Sequence, residues 1–240
     1  MHYKRSRSSG NVLFIILLAV ALFAALSYTV TSSTRGGGKS SSKEKGLSDI
    51  AVIQQYAASI NSAISRLMIS NGCDESKLNF YSDKFVYSSD YMNNSSPTDK
   101  SCNIFDSAGG NIIWQKPPVS SQVLGGVEYA FSANNNFNNI GLPACDRTEL
   151  VMYIIIIEEM CISVNEKIGI FNTGGNPPQT ATTNVPIIPN SNYRAFKGVF
   201  SCGSLLGAGT SAPEISGRMH GCFYHSAYNK YYYYEILMPR

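Results

Sequence analysis

Residues 12–30 read VLFIILLAVALFAALSYTV, and the first fifteen of these residues are all apolar. A helix of 19 residues is about 28 Å long, close to the hydrocarbon thickness of a bilayer. The apolar region of a cleavable signal peptide is usually about 7–15 residues long and is followed by a small-x-small site, which residues 27–30 do not offer. The segment therefore predicts a transmembrane anchor helix over residues 11–34, with a cleaved secretory signal as the alternative.

The charges around this segment do not orient it, because Lys4, Arg5 and Arg7 precede it and four basic residues follow it between positions 35 and 45. All six cysteines lie beyond residue 72. Disulfides persist mainly outside the cytoplasm. We therefore expect a single-pass protein of the inner membrane with a periplasmic or extracellular carboxy-terminal domain. Six free thiols in a cytosolic domain are the alternative.

The leader, residues 1–10, reads MHYKRSRSSG: it is basic, ends in Gly10 and leads directly into the apolar run. This arrangement resembles the class III signal of type IV pilins and type II secretion pseudopilins. The resemblance implies that a prepilin peptidase cuts between Gly10 and Asn11 and that other pilin-like subunits are partners. That family usually has a glutamate four residues after the first mature position, where this chain has Ile15. The difference implies a minor or tip subunit rather than a major one.

Residues 35–46, RGGGKSSSKEKG, contain no apolar side chain and predict a flexible linker before an exported α+β domain over residues 47–240. That domain opens with an amphipathic helix, which Asn71-Gly72 ends. We expect the helix to pack on its own domain, although its apolar face could instead pack between subunits. Its apolar residues recur at three- and four-residue steps: Leu47, Ile50, Ile53, Tyr56, Ile60, Ile64 and Leu67.

After Cys73 the pattern predicts an antiparallel sheet with one inserted buried helix. The helix is predicted from a capping-box-like pair, Asp146 and Glu149, through an apolar stripe over residues 150–168 to Gly169. The β-branched run at residues 154–157 leaves a buried strand open there. The strand candidates are Leu78–Tyr81, Phe85–Tyr87, Ile112–Gln115, Val127–Phe131, Tyr193–Phe200, Met219–Tyr224 and Tyr231–Leu237.

The even number of cysteines predicts three disulfides. Cys73 follows the first helix of the domain and is separated from Cys102 by a segment that can form one hairpin, so this pair is the first prediction. Cys161 lies on the apolar stripe of the second helix and needs a partner from another core element, for which Cys222 is favoured. Cys145 and Cys202 then form the third pair.

The sequence offers little chemistry. His220, Cys222 and His225 are three metal-ligand types within six residues, but a zinc site needs a fourth ligand, and the other cysteines stand singly. A disulfide at Cys222 with ordinary surface histidines is therefore favoured over a metal site.

The adjacent Glu158 and Glu159 point about 100° apart on a helix and form a solvated edge rather than an acid–base pair. Residues 231–234, YYYY, place two rings on each face of a strand, and we expect core rather than binding.

The charge distribution argues against nucleic acid as a partner. The chain carries +3 in all, but residues 46–240 contain 12 Lys and Arg against 15 Asp and Glu, a net charge of −3. No catalytic or cofactor motif occurs, so the sequence predicts neither an enzyme nor a cofactor. It predicts a pilin-like or pseudopilin-like membrane-anchored envelope protein with a structural or interaction role and membrane lipid as a partner. The alternative is a stand-alone anchored exported domain that binds an unknown ligand.

Overall fold

The computed structural model describes residues 10–35, 37–85, 88–118, 128–141, 148–182, 184–186, 194–201 and 203–240. The chain divides into two compact units, Met1–Glu44 and Lys45–Arg240. Its described part has the predicted α+β composition. The α-helices are α1 (Gly10–Arg35), α2 (Gly37–Ser70) and α3 (Glu158–Ile168), and a sheet of six strands forms the second unit together with α3 and most of α2.

The first unit contains α1, whose large apolar side chains between Phe14 and Leu26 are all exposed. Within the described residues, none of the helices has both the length and the apolar character needed to cross a membrane, so the predicted transmembrane segment is not supported.

The predicted linker at residues 35–46 differs from the structure, because α2 begins at Gly37. Extending an existing helix adds one hydrogen bond per residue, whereas starting a new helix is unfavourable. Glycine costs only about 1 kcal/mol per helical position relative to alanine, and lysine, glutamate and serine cost less. The strongly apolar stripe further along α2 therefore provides an existing helix, and this helix can extend in the amino-terminal direction through the residues of the predicted linker.

The apolar stripe of α2 is confirmed. Leu47 is half-buried, and the six predicted residues from Ile50 to Leu67 are buried in the core of the second unit. The helix ends where the N–H groups of Asn71 and Cys73 both donate to the carbonyl oxygen of Leu67. Gly72 has a φ of 63° and supplies the left-handed turn that this ending needs.

The sheet has the order β3-β5-β6-β2-β1-β4. Its four central strands are antiparallel, as predicted, whereas the edge strands β3 and β4 run parallel to their neighbours β5 and β1. The strands are β1 (Ala130–Phe137), β2 (Glu149–Ile156), β3 (Gln179–Thr180), β4 (Ser204–Leu206), β5 (His220–His225) and β6 (Lys230–Met238).

The helix predicted from residue 150 to residue 168 is split into two elements. Residues 149–156 are strand β2, which pairs with β1 on one side and β6 on the other and is buried throughout. A strand covered on both faces needs apolar residues at every position, so it lacks the two-residue alternation by which strands are recognised. Only α3 is helical, and it ends at Gly169 as predicted, with a φ of 72°.

Several strand candidates are corrected as well. Val127–Phe131 overlaps the start of β1, and the last two candidates correspond to β5 and β6. Leu78–Tyr81 and Ile112–Gln115 contain no strand, nor do the described residues of Tyr193–Phe200. Phe85 lies in a bend, and residues 86–87 lie outside the described residues.

In the described part of residues 71–118, backbone pairing is limited to a parallel bridge between Asn79 and Asn103, and side chains bind many of the other N–H groups. Six Asx turns occur there, in each of which a side-chain oxygen accepts the N–H two residues further on; they begin at Asp74, Asn79, Asn93, Asp99, Asn103 and Asp106. Such turns offer the backbone an alternative to a strand ladder, which explains why the apolar residues between them do not form strands.

Candidate functional site

The predicted processing residues, Gly10 and Asn11, are the first two residues of α1. Beyond them, nine large apolar side chains between Phe14 and Leu26 are 51–74% exposed. Residues 14–18 are exposed without interruption, and five consecutive helical residues cover a full turn. The apolar surface of α1 therefore extends around the whole helix rather than along one stripe.

Two of the three predicted disulfides are present. Cys73–Cys102 connects the end of α2 to the following loop region, and Cys161–Cys222 connects α3 to β5. Cys145 and Cys202 lie outside the described residues, so their pairing remains a prediction.

Beside the second disulfide, the side chain of Asn165 on α3 takes the place of a neighbouring strand. Its Nδ2 donates to the carbonyl oxygen of Cys222 at 2.9 Å, and its Oδ1 accepts the N–H of Cys222 at 3.0 Å. Both residues are fully buried. One amide side chain thus satisfies both backbone groups of a β5 residue, and the adjacent disulfide holds the same two elements together.

The sheet separates His225 from the other two residues of the predicted metal-ligand group, His220 and Cys222. Side chains alternate along a strand, so His220 and Cys222 lie on the face covered by α3, whereas His225 lies on the opposite face. Among the described residues no group of three or more histidine, cysteine or acidic side chains could hold a metal ion. The three residues are therefore not one site.

His225 was expected at the surface, and this prediction is wrong: it is fully buried. Its Nδ1 accepts the N–H of Tyr228 at 3.2 Å, and its Nε2 contacts the carbonyl oxygen of Thr182. Burial lowers the pKa of His225, although the carbonyl of Thr182 favours the protonated form. A neutral imidazole in which Nδ1 accepts and Nε2 donates a hydrogen bond satisfies both contacts. His225 is therefore a structural residue of the core.

The tyrosine run belongs to the core, as expected. Tyr232, Tyr233 and Tyr234 are buried, and Tyr231 is half-buried. The hydroxyl of Tyr232 donates to Pro186 and that of Tyr234 to Arg218, each at 3.0 Å to the carbonyl oxygen. Tyr232 and Tyr234 are therefore fixed on one face of β6, and Tyr233, whose hydroxyl donates to Glu235, is fixed on the other face.

The predicted solvated edge at Glu158 and Glu159 forms the first turn of α3. Glu159 is exposed, whereas Glu158 is half-buried and shares a hydrogen bond with Tyr231. These two acids therefore differ in their surroundings, and only Glu159 is fully solvated.

A buried polar group lies on the face of the sheet opposite to α3. Glu149 is fully buried and accepts the N–H of Phe137 at 2.9 Å, and the hydroxyl of Tyr153 donates to Oδ1 of Asn135 at 3.1 Å. Glu149 Oε1, Asn135 Nδ2 and Ser132 Oγ have no hydrogen-bond partner among the described residues. Burial raises the pKa of Glu149 to about 7. Sequence reasoning placed Glu149 at a helix start and missed this group.

The two edges of the sheet line one cleft of about 630 Å³. β3 and β4 stand at opposite ends of the strand order, so the sheet must curl until these edges face one another. The cleft contains Gln179 and two apolar residues, Ala181 and Leu205, and six hydroxyl groups, those of Thr180, Thr182, Ser204, Thr210, Ser211 and Ser226. Edge strands of two and three residues are too short to give a sequence pattern, so sequence reasoning missed this cleft.

In comparisons with known proteins, no family model, no curated protein and no solved structure matches this chain. Its function is therefore argued from its own residues.

Proposed function

We propose that this chain is a pilin-like or pseudopilin-like envelope protein, in which α1 holds a disulfide-bonded α+β unit at the inner membrane. The observation that carries the proposal is the exposure of nine large apolar side chains around α1. A helix that is apolar on all sides is stable in water only when lipid or other helices cover it. Its role is structural or one of interaction, and its partners are membrane lipid and other pilin-like subunits.

Three further features support the proposal. The basic leader and Gly10 precede α1 in the order that a prepilin peptidase reads. α1 and α2 are 26 and 34 residues long, and long amino-terminal helices suit such a subunit. The two disulfides favour an oxidising compartment for the second unit. The net charge of −3 over residues 46–240 disfavours nucleic acid as a partner.

Amino-terminal sequencing tests the processing step. We expect the full chain, co-expressed with a prepilin peptidase and extracted from membranes, to begin at Asn11. Gly10→Val removes the residue that the peptidase reads and should leave the chain uncut, whereas Ser9→Ala should be cut normally. An intact Met1 in the wild-type chain, or a start beyond residue 25, contradicts the pilin-like assignment and favours a stand-alone anchored or secreted domain.

Membrane association is tested separately by washing membranes with alkaline carbonate. We expect the wild-type chain to stay in the pellet and the double variant Leu17→Asp/Val20→Asp to be released, because two charges in an apolar helix oppose its burial in lipid. Ile69→Asp is the matched control, since Ile69 is an 85% exposed apolar residue of α2. Release of the wild-type chain by the wash contradicts anchoring by α1.

The minor or tip position rests on Ile15, which stands where the resemblance expects a glutamate. Without that carboxylate, helix association in lipid has only packing to drive it, and lipid tails are as apolar as the helix itself. Immunogold labelling of filaments should therefore find the chain at filament ends or at low copy. Continuous labelling along filaments built of the wild-type chain contradicts this position.

A further inference from the structure

The cleft between the sheet edges is bordered by backbone groups that point into it. In a parallel pair, the N–H and C=O of one residue face the neighbouring strand and those of the next residue face away. The carbonyl of Leu206 accepts the N–H of Asn138 beyond β1, so Leu206 faces β1 and Leu205 turns both of its backbone groups outward. Outside the strand ladders, no backbone hydrogen bond in the described part of the chain uses Leu205, and the alternation leaves its N–H and C=O directed away from the β1–β4 ladder.

The opposite edge has the same arrangement. The carbonyls of Pro178 and Thr180 accept N–H groups of the β5 side, so the backbone of Gln179 between them faces away from β5. Its carbonyl accepts the N–H of Ala212 at 2.8 Å, and its N–H remains directed outward. The cleft therefore has backbone donors on both sides and an acceptor on the β4 side.

The described side chains of the cleft do not favour charged ligands. None of the nine lining residues that the structure describes carries a charge, so none of them neutralises a phosphate or a carboxylate, and none offers a carboxylate or an imidazole to a cation. The hydroxyl oxygen of Thr182 is buried and lacks a hydrogen-bond partner among the described residues. The same nine residues include no aromatic ring that could supply a flat apolar platform for a sugar ring.

We propose that this cleft binds an extended, uncharged polypeptide segment, which pairs through its backbone with the outward edge of β4. An exposed strand edge is a template for a further strand, and main-chain hydrogen bonds supply the affinity of such complexes. Neither edge is protected by a charged side chain, since the edge residues are Gln179, Thr180 and Ser204–Leu206. This inference concerns the second unit alone and does not depend on the function proposed for α1.

The experiment uses the full chain in detergent micelles and a fluorescein-labelled, end-blocked peptide of alternating threonine and valine, six residues long. We expect saturable fluorescence anisotropy with a dissociation constant of about 10 μM to 1 mM, because the edge strands offer few hydrogen bonds. The matched probe is the same peptide methylated at alternate backbone nitrogens along one edge, with each edge tested in turn. Methylation of the pairing edge should weaken binding about tenfold or more.

Two variants at one position separate backbone from side-chain binding. Leu205→Pro removes the outward N–H and is tolerated on an edge strand that faces solvent, whereas Leu205→Ala keeps the N–H and shortens the side chain. We expect the first to weaken peptide binding about tenfold and the second by less than about threefold. Thermal unfolding shows whether each variant is folded, and the methylated peptides remain decisive if Leu205→Pro is not.

Three results overturn the proposal. The first is the absence of saturable binding up to about 1 mM peptide, the limit set by the expected affinity. The second is equal binding of the unmodified peptide and both methylated peptides. The third is calorimetric binding of a neutral oligosaccharide such as maltohexaose without binding of the peptide, which assigns the cleft to sugars.

Discussion

Residues 71–118 and the central sheet each contain one disulfide, but they satisfy their backbone in opposite ways. In the sheet, β2 pairs with β6 over a sequence separation of about 80 residues, and both faces of β2 are free to be apolar. In residues 71–118, six Asp and Asn side chains bind N–H groups only two residues away. The sheet is held by continuous long-range ladders, whereas residues 71–118 combine local Asx turns with a bridge between Asn79 and Asn103 and a disulfide.

This difference shows where the stability of the second unit resides. A local Asx turn fixes a few residues and can be lost without disturbing its neighbours, whereas a ladder bond is shared with residues far along the chain. We therefore expect perturbations of the sheet to unfold the whole unit and equivalent perturbations of residues 71–118 to have smaller effects.

The largest expected effect comes from comparing the two disulfides. Cys161→Ala/Cys222→Ala opens a link across 61 residues, and Cys73→Ala/Cys102→Ala opens one across 29. The chain-entropy model gives losses of about 4 kcal/mol and about 3.5 kcal/mol in the free energy of unfolding. Urea denaturation followed by circular dichroism measures both. If the Cys73→Ala/Cys102→Ala variant loses more free energy of unfolding than the Cys161→Ala/Cys222→Ala variant, the stability of the second unit does not depend mainly on long-range pairing in the sheet.

Asn165→Ala is the next test, because it removes a side chain that acts as a strand partner. The N–H and C=O of Cys222 would both be left buried and unpaired, which costs about 3 kcal/mol. Asn165→Asp keeps the acceptor for the N–H but loses the donor, and its loss should also be large. Urea denaturation at neutral pH is the measurement. Wild-type stability in Asn165→Ala would mean that this side chain is not needed to complete the edge of β5.

The buried carboxyl of the sheet predicts a pH dependence. Burial raises the pKa of Glu149 to about 7 from the 4.5 of an exposed glutamate, so the folded state retains a proton that the unfolded state releases. For this group, stability is therefore greatest below about pH 4.5, falls by roughly 3 kcal/mol between about pH 4.5 and 7, and is constant at higher pH. The urea denaturation midpoint should be measured from pH 5 to 8. Its fall with rising pH should be smaller in Glu149→Gln than in the wild-type chain.

The matched control for that prediction is Glu159→Gln, an exposed acid on α3. It should leave the slope as in the wild-type chain. Glu235 is also buried, which raises its pKa to about 7, so part of the slope should persist in Glu149→Gln. An unchanged slope in Glu149→Gln contradicts a protonated, buried carboxyl at this position.

The smallest effect is expected in residues 71–118. Asn93 Nδ2 donates to the carbonyl oxygens of Ser76 and Leu78 at 2.7 and 2.9 Å. Asn93→Ala should cost about 1.5 kcal/mol, because two carbonyl groups lose their donor, whereas the N–H of the exposed Ser95, which loses its Asx-turn acceptor, can bond water instead. Asn94→Ala, at the exposed neighbouring position, should change the free energy of unfolding by less than about 0.5 kcal/mol. A loss at Asn93 larger than that at Asn165 would reverse the comparison between the two regions.

The accuracy of the sequence predictions follows the same division. The stripe of α2 was predictable because one face is buried and the other exposed, and the aromatic runs of β5 and β6 were found for their composition. β2 was mistaken for helix because a strand buried on both faces carries no alternation. In residues 71–118 the apolar runs resembled strands. Strand propensity depends on the residue types in the run, and it does not show that an Asx side chain already accepts the N–H of a nearby residue.

The candidate sites were predicted less well, for a related reason. Two disulfide pairs were found because Cys73 follows the predicted end of a helix and Cys161 lies on a predicted apolar stripe, which requires a partner from the core. The cleft depends on two edges that approach only when the sheet curls, and no local pattern contains that information. The alternation that separates His225 from His220 and Cys222 could have been applied to the sequence once β5 was recognised.

The amide of Asn165 has a consequence for contacts between separate copies of this chain. An open strand edge invites edge-to-edge aggregation, which proteins often prevent with lysine, proline or a bulge. Here the backbone of Cys222 is already bonded by a side chain that a disulfide holds in place, so this stretch of β5 cannot recruit a strand from another molecule. Reduction of Cys161–Cys222 would loosen α3 and expose this edge, so reducing conditions should promote aggregation before global unfolding.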